Sequence, residues 1–167
     1  MKIIFNLLFF MLTFTASAQI NRGGLTERDT KGLPGKWTGT MVFSADKEQV
    51  TYKSVLNITD MKDSMMFNFI HVGPDATMDT VSYAMRIYDD GNKLEFDSSI
   101  YDIMAVRRKG IRLVIIAERE GVDKYRSADF QITLTIGPGY LNIVKGIRYD
   151  DMTEYFIRYR SVFTKSL

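Results

Sequence analysis

The chain has 167 residues, no cysteine, and an almost even charge balance of 22 Lys and Arg against 20 Asp and Glu. Without cysteine, a disulfide framework, a thiolate nucleophile and a lipoprotein anchor are all excluded. The even balance gives no electrostatic reason to expect nucleic acid or an anionic membrane surface as a partner. The fold must therefore be stabilised by its apolar core.

The first residues have the composition of a secretory signal peptide. Lys2 precedes an apolar run of about a dozen residues, and the small residues Ala16, Ser17 and Ala18 follow. This run is too short to cross a bilayer of roughly 30 Å as a helix. We expect cleavage after residues 1–18, no later membrane-spanning segment, and export of the protein to the periplasm or the extracellular space.

The rest of the chain divides at the first strand. Residues 19–34 contain glycine and charged residues without apolar periodicity, which predicts a flexible N-terminal lead-in. From residue 35 to residue 167 the apolar residues recur with a period of two, as in half-buried strands. That length is typical of one domain.

Ten segments of this domain show the alternation and the β-branched and aromatic enrichment of strands. In chain order they are KWTGTMVF, VTYKSVLNIT, SMMFNFIHV, MDTVSYAMRIY, KLEF, IYDIMAVR, IRLVIIAE, ADFQITLTI, YLNIVKGIR and TEYFIRYRSVF. Short separators with turn residues, such as GPDA, DDGN and GPG, predict antiparallel neighbours. Since closure removes exposed edges, the sequence predicts an all-β, antiparallel up-and-down barrel of about eight to ten strands. A β-sandwich is the alternative.

The opening of the first strand, GKWTGT, contains Gly35 and the only tryptophan, Trp37, after an irregular segment. This Gly-x-Trp pattern ahead of an antiparallel meander resembles the lipocalins and the wider calycin superfamily. The resemblance implies a lipocalin-like barrel in which Trp37 plugs the closed end. It also implies that Arg158 or Arg160, on the last strand, lies across the indole, an interaction of roughly 0.5 to 2 kcal/mol.

Catalytic and metal chemistry has little support in the sequence. The single histidine, His71, stands at a strand end and is expected to be partly exposed, the alternatives being a ligand contact at a barrel mouth or a lone haem-iron ligand. No Gly-x-Ser-x-Gly elbow and no phosphate-binding glycine loop is present. We therefore expect a protein that is not an enzyme and that carries no metal and no cofactor.

Methionine and tyrosine are frequent in the candidate strands, and both side chains suit the wall of an apolar pocket. A barrel of about eight strands is either packed solid or able to hold one small ligand. The leading interpretation is a non-catalytic barrel that binds a small hydrophobic or amphipathic molecule in its interior. The predicted wall residues are Tyr52, Phe67, Phe69, Tyr83, Met85, Phe130 and Tyr155.

Two other interpretations stay open. A solid-core barrel would act as a protein-interaction or structural module of the cell envelope, and its surface to test is the basic cluster of Arg107, Arg108, Lys109 and Arg112. An enzyme on the same barrel would need a cavity with buried, convergent polar groups, whereas a dry apolar cavity favours simple binding.

Overall fold

The computed structural model describes residues 24–45 and 48–166, which form an antiparallel barrel. The strands are β1 (Gly35–Ala45), β2 (Glu48–Asp60), β3 (Met65–Val72), β4 (Met78–Tyr88), β5 (Lys93–Phe96), β6 (Ser99–Lys109), β7 (Arg112–Asp123), β8 (Arg126–Gly137), β9 (Tyr140–Tyr149) and β10 (Phe156–Lys165). Each strand pairs with its sequence neighbours, and β10 pairs with β1 to close the barrel. The structure confirms the predicted up-and-down barrel, and closure excludes the sandwich.

Alternation along β8 shows how the sequence builds the wall. Phe130, Ile132 and Leu134 are 5%, 0% and 1% exposed and point inward, while the polar residues between them face outward. Burial of one such apolar side chain stabilises the fold by about 1.5 to 3 kcal/mol. The ten strands repeat this pattern, so the core lies inside the barrel.

Trp37 lies at the end of the barrel where the described chain begins and β10 ends. Its side chain is 1% exposed, and its Nε1 donates a hydrogen bond of 2.8 Å to the carbonyl oxygen of Leu33. Leu25 and Leu33 are also buried in the core cluster. The segment before β1 therefore covers the tryptophan and closes this end.

That covering segment differs from the flexible lead-in that we expected. Residues 24–34 include a single helical turn, α1 (Glu27–Thr30), and two buried leucines anchor it. Arg108 Nη2 lies 2.6 Å from Asp29 Oδ2, and this guanidinium lowers the pKa of the Asp29 carboxyl to about 2. One member of the predicted basic surface cluster thus holds the N-terminal segment on the barrel.

The cation over the indole is Lys165, and our prediction of Arg158 or Arg160 was wrong. Lys165 Nζ lies 5.3 Å from the Trp37 ring centroid and donates to the carbonyl oxygen of Gly32 at 2.8 Å. The reason is register, because the residue of β10 opposite Trp37 is Lys165. Arg158 instead pairs with an aspartate of β7 at 2.7 Å, and Arg160 lies opposite the upper part of β1.

The predicted leader, residues 1–18, lies outside the described residues. Within the described ranges, no helix is both long and apolar enough to cross a membrane.

Candidate functional site

The barrel wall is notched at the end opposite Trp37. β5 has only four residues and pairs with β4 over Arg86–Tyr88, so residues 78–85 of β4 pair with β3 alone within the described chain. On the far side of the notch, residues 119–123 of β7 pair with β8 alone in the same way. The short β5–β6 hairpin therefore leaves an opening in the wall.

A cavity of about 470 Å³ occupies the interior beside this notch. Its walls combine aromatic, methionine and aliphatic side chains with a few polar groups, as in typical small-molecule pockets. The lining residues are Met41, Phe43, Tyr52, Phe69, His71, Thr77, Met78, Asp79, Val81, Tyr83, Asp97, Ile143, Tyr159 and Ser161.

An aromatic cluster separates the cavity from the closed end. Phe69 lies 5.3 Å from Tyr83 and 6.0 Å from Phe163, measured between ring centroids. Phe67 and Phe96 pack edge to face at 5.5 Å, and both are almost fully buried. Buried side chains thus fill the core of the lower half of the barrel, and this cavity lies in the upper half.

An ion pair crosses the interior at the cavity. Asp97 is the first residue of the two-residue turn between β5 and β6, and Lys145 is on β9. The Lys145 ammonium donates a hydrogen bond to Asp97 Oδ2, and the two side chains are 16% and 27% exposed. Lys145 points inward because its register partners are Ile132 and Tyr159. The pair therefore places a carboxylate on the cavity wall with its counter-charge behind it.

Two tyrosine hydroxyls accompany the carboxylate. Burial raises the pKa of Tyr83 and of Tyr159 well above the ordinary value, and the charge of Asp97 raises both further. Both hydroxyls therefore stay protonated across the neutral range. Tyr83 donates a hydrogen bond to Tyr159, which leaves the O–H of Tyr159 as a donor.

His71 contributes a third polar group. Its side chain is 6% exposed, which contradicts the expectation of a partly exposed histidine and agrees with the alternative position at the barrel mouth. The Ser54 hydroxyl lies 2.8 Å from His71 Nδ1, so Nε2 is the ring nitrogen without a hydrogen-bond partner in the described residues. Ser54 is itself 3% exposed and does not line the cavity, which makes it an orienting group and not an accessible nucleophile.

We expect the free energy of unfolding to fall as the pH drops through 6.5, the ordinary pKa of a histidine. Burial lowers the pKa of His71 below 6.5, and the charge of Asp79 opposes this only in part. The unfolded chain then binds a proton more readily than the folded chain, so acid favours unfolding, by at most about 1.4 kcal/mol per pH unit for one proton. Urea unfolding at several pH values measures this slope, and His71→Gln should flatten it. An equal slope in the variant would contradict the role of His71.

No protein-family model and no curated protein sequence matches the chain. Among solved structures it is similar to Rv2717c from M. tuberculosis, with a TM-score of 0.63 and 11% identity over 84% of this chain and 96% of that one. It is also similar to the S-type phycobiliprotein lyase CPES from Guillardia theta, with a TM-score of 0.58 and 10% identity over 84% of this chain and 92% of that one. At these identities the likeness shows a shared barrel fold.

The structure places three of the seven predicted wall residues on the cavity: Tyr52, Phe69 and Tyr83. Phe67 and Met85 point inward as predicted, but they are 1% and 0% exposed and belong to the packed core below the cavity. Phe130 is also inward, 5% exposed and outside the cavity lining. Its ring lies 4.1 Å from Arg119 Cζ.

Tyr155 was predicted on the wall and lies outside the barrel. The register of β10 shifts between Ile157 and Tyr159, and this bulge reverses the side-chain alternation. Tyr155 therefore packs on the outer face of β9 against Gly146. A Cβ added at Gly146 would lie 3.1 Å from the Cβ of Tyr155. Strict alternation from Tyr159 would have placed it inside.

The prediction missed the polar residues of the interior, although the sequence contains a signal for them. Lys145 follows Ile143 and precedes Ile147 at a spacing of two, and so lies in phase with the buried residues of its strand. Ser161 lies two residues before Phe163, and so it too is in phase with a buried residue of its strand. A polar residue in phase with an apolar stripe must point into the barrel. Asp97 gives no such signal, because it belongs to a turn.

Proposed function

We propose that this chain is a calycin-type barrel that binds a small amphipathic molecule in the cavity beside the notch. The single observation that supports the proposal best is the cavity of about 470 Å³ above the aromatic cluster, a volume within the usual range of roughly 300 to 1,000 Å³ for ligand pockets. A solid-core module has no need of such a space.

The mixed character of the lining favours an amphipathic ligand. Met41, Phe43 and Met78 offer adaptable apolar contacts, and Asp97 and Tyr159 offer polar ones. The apolar side chains would cover the hydrocarbon part of the molecule, while the polar groups would fix its orientation. The leader pattern supports the further proposal that the protein acts after export.

The basic cluster that would serve an interaction module is partly occupied within the chain. Arg108 donates two hydrogen bonds to the carboxylate of Asp29 and one to the carbonyl oxygen of Gly24. A residue engaged in this way is less available to an outside partner. This observation, together with the cavity, favours binding in the interior over binding at that surface.

A blocked cavity tests the proposal. Ser161 is 2% exposed on the cavity wall, and Ser161→Phe should fill the space and weaken binding of the uncharged fluorescent probe N-phenyl-1-naphthylamine at least about tenfold, or about 1.4 kcal/mol. The measurement is a fluorescence titration of the purified protein, with far-UV circular dichroism to confirm folding.

The matched control is Thr164→Phe, which adds the same ring to an outward position of the same strand. It should bind the probe as the unmodified chain does. Absence of probe binding by the unmodified chain, or equal binding by a folded Ser161→Phe variant, would count against a ligand site in the interior.

A further inference from the structure

The Asp97–Lys145 ion pair is unusual because one of its members belongs to a hairpin turn and yet lines the cavity. Asp97 and Ser98 both have positive φ angles, 51° and 57°, as expected for the two central residues of a tight hairpin turn. Most such turn residues point into solvent, but the hairpin here ends beside the cavity and Asp97 lines it. Lys145 reaches it from the opposite wall.

This pair disfavours charged head groups of either sign. A ligand carboxylate would be repelled by Asp97, which lines the cavity, whereas a ligand ammonium would have to compete with Lys145, which already holds that carboxylate from behind. The second carboxylate of the lining, Asp79, is exposed to solvent, which screens its charge. Each would also lose its hydration, which is costly where the surroundings are apolar. Because Coulomb interactions strengthen as the effective dielectric constant falls, the discrimination is greater here than at the protein surface.

The remaining hydrogen-bonding capacity suits a group that both donates and accepts. Asp97 Oδ2 accepts the bond from Lys145, while Oδ1 has no partner among the described residues. Tyr83 and Tyr159 also line the cavity. Buried polar groups normally find partners, so this set has room for one more polar group.

We infer that the Asp97–Lys145 pair and its neighbouring tyrosine hydroxyls select ligands whose polar end is an uncharged hydroxyl group. The ligand hydroxyl donates to Asp97 Oδ1 and accepts from a tyrosine, while its hydrocarbon part lies against the methionine and phenylalanine side chains of the cavity. This inference rests on the proposed function, since it specifies the chemistry of the same cavity.

The test uses three twelve-carbon competitors that differ only in the head group: dodecanol, dodecanoate and dodecylammonium. Each displaces N-phenyl-1-naphthylamine from the full chain, below its micellar concentration and at neutral pH, and displacement constants are expressed relative to dodecanol. These ratios cancel differences in the affinity of each variant for the probe. The informative quantity is how each ratio changes between variants.

Asp97→Asn removes the negative charge and keeps a residue that tolerates positive φ. This variant should strengthen the binding of dodecanoate relative to that of dodecanol at least about tenfold, because the positive charge of Lys145 then has no counter-charge. Lys145→Met should strengthen the binding of dodecylammonium relative to that of dodecanol by a similar factor. The double variant should restore the preference for dodecanol, since both charges are gone.

The outcomes separate the two proposals. If the probe fails to bind the unmodified chain, the proposed function itself is overturned. If the probe binds and the ratios are the same in all folded variants, the cavity is an apolar container and the selection by head group is overturned. Where Lys145→Met does not fold, the isosteric Asp97→Asn variant alone decides.

Discussion

Trp37→Ala is expected to lower the free energy of unfolding by about 3 to 5 kcal/mol, the range for truncation of a large buried aromatic side chain. The indole is 1% exposed, and its loss would leave a void between the core and the covering segment. The hydrogen bond from Nε1 to Leu33 would be lost as well, and Lys165 would lose the ring beneath its ammonium. Urea unfolding followed by far-UV circular dichroism measures the change.

Trp37→Phe is the matched control, because it keeps an aromatic ring while removing the N–H donor. Trp37→Phe should lower the free energy of unfolding by less, on the order of 1 to 2 kcal/mol, because it removes one hydrogen bond and part of the packing. A loss below about 1 kcal/mol in Trp37→Ala would show that the closed end does not depend on the indole.

Most of the barrel could be predicted from the sequence because alternation is a local property. All ten segments singled out by a period of two are strands, including the four-residue β5 between DDGN and the next turn. Turn chemistry identified the connections equally well, as at Gly91 and Gly139, which adopt positive φ. These short connections predicted antiparallel neighbours, and closure was predicted because it removes exposed strand edges.

The candidate site was harder to predict because its position depends on strand length and register. Asp97 reads as an ordinary turn residue, and only the shortness of β5 relative to β4 brings that turn beside the cavity. Lys165 faces Trp37 because β10 continues to residue 165, beyond the two arginines that the resemblance suggested. In both cases the neighbouring strand decides the contact, and a single strand's pattern does not contain that information.

Bulges limit the same reasoning in another way. The β10 bulge moves Tyr155 to the outside, and a second shift on β6, between Ile103 and Ala105, leaves Met104 59% exposed. A residue inserted by a bulge reverses the inward and outward alternation of all the side chains that follow it in the strand. Alternation therefore predicts whether a side chain points into or out of the barrel only within a stretch of strand that has no bulge.

Gly39→Ala is expected to lower the free energy of unfolding by at least about 3 kcal/mol, at the upper end of the range for overpacked sites. Gly39 lies in the middle of β1 opposite Phe163, on the pair of strands that closes the barrel. A Cβ at this position would lie 1.9 Å from the carbonyl oxygen of Val162 and 2.9 Å from the Cα of Phe163. Both are backbone atoms, so no side-chain rotation relieves the clash.

Relief would require β1 and β10 to move apart, which would weaken the hydrogen bonds that close the barrel. Gly32→Ala is the matched control, since no atom lies within 4 Å of a Cβ there and its effect should stay within about 0.5 kcal/mol. Urea unfolding of both variants, followed by Trp37 fluorescence near the same seam, measures the difference. Equal stability of the two variants would mean that β1 and β10 tolerate a wider separation at Gly39. Closure of the barrel would then not depend on the close approach of these two backbones.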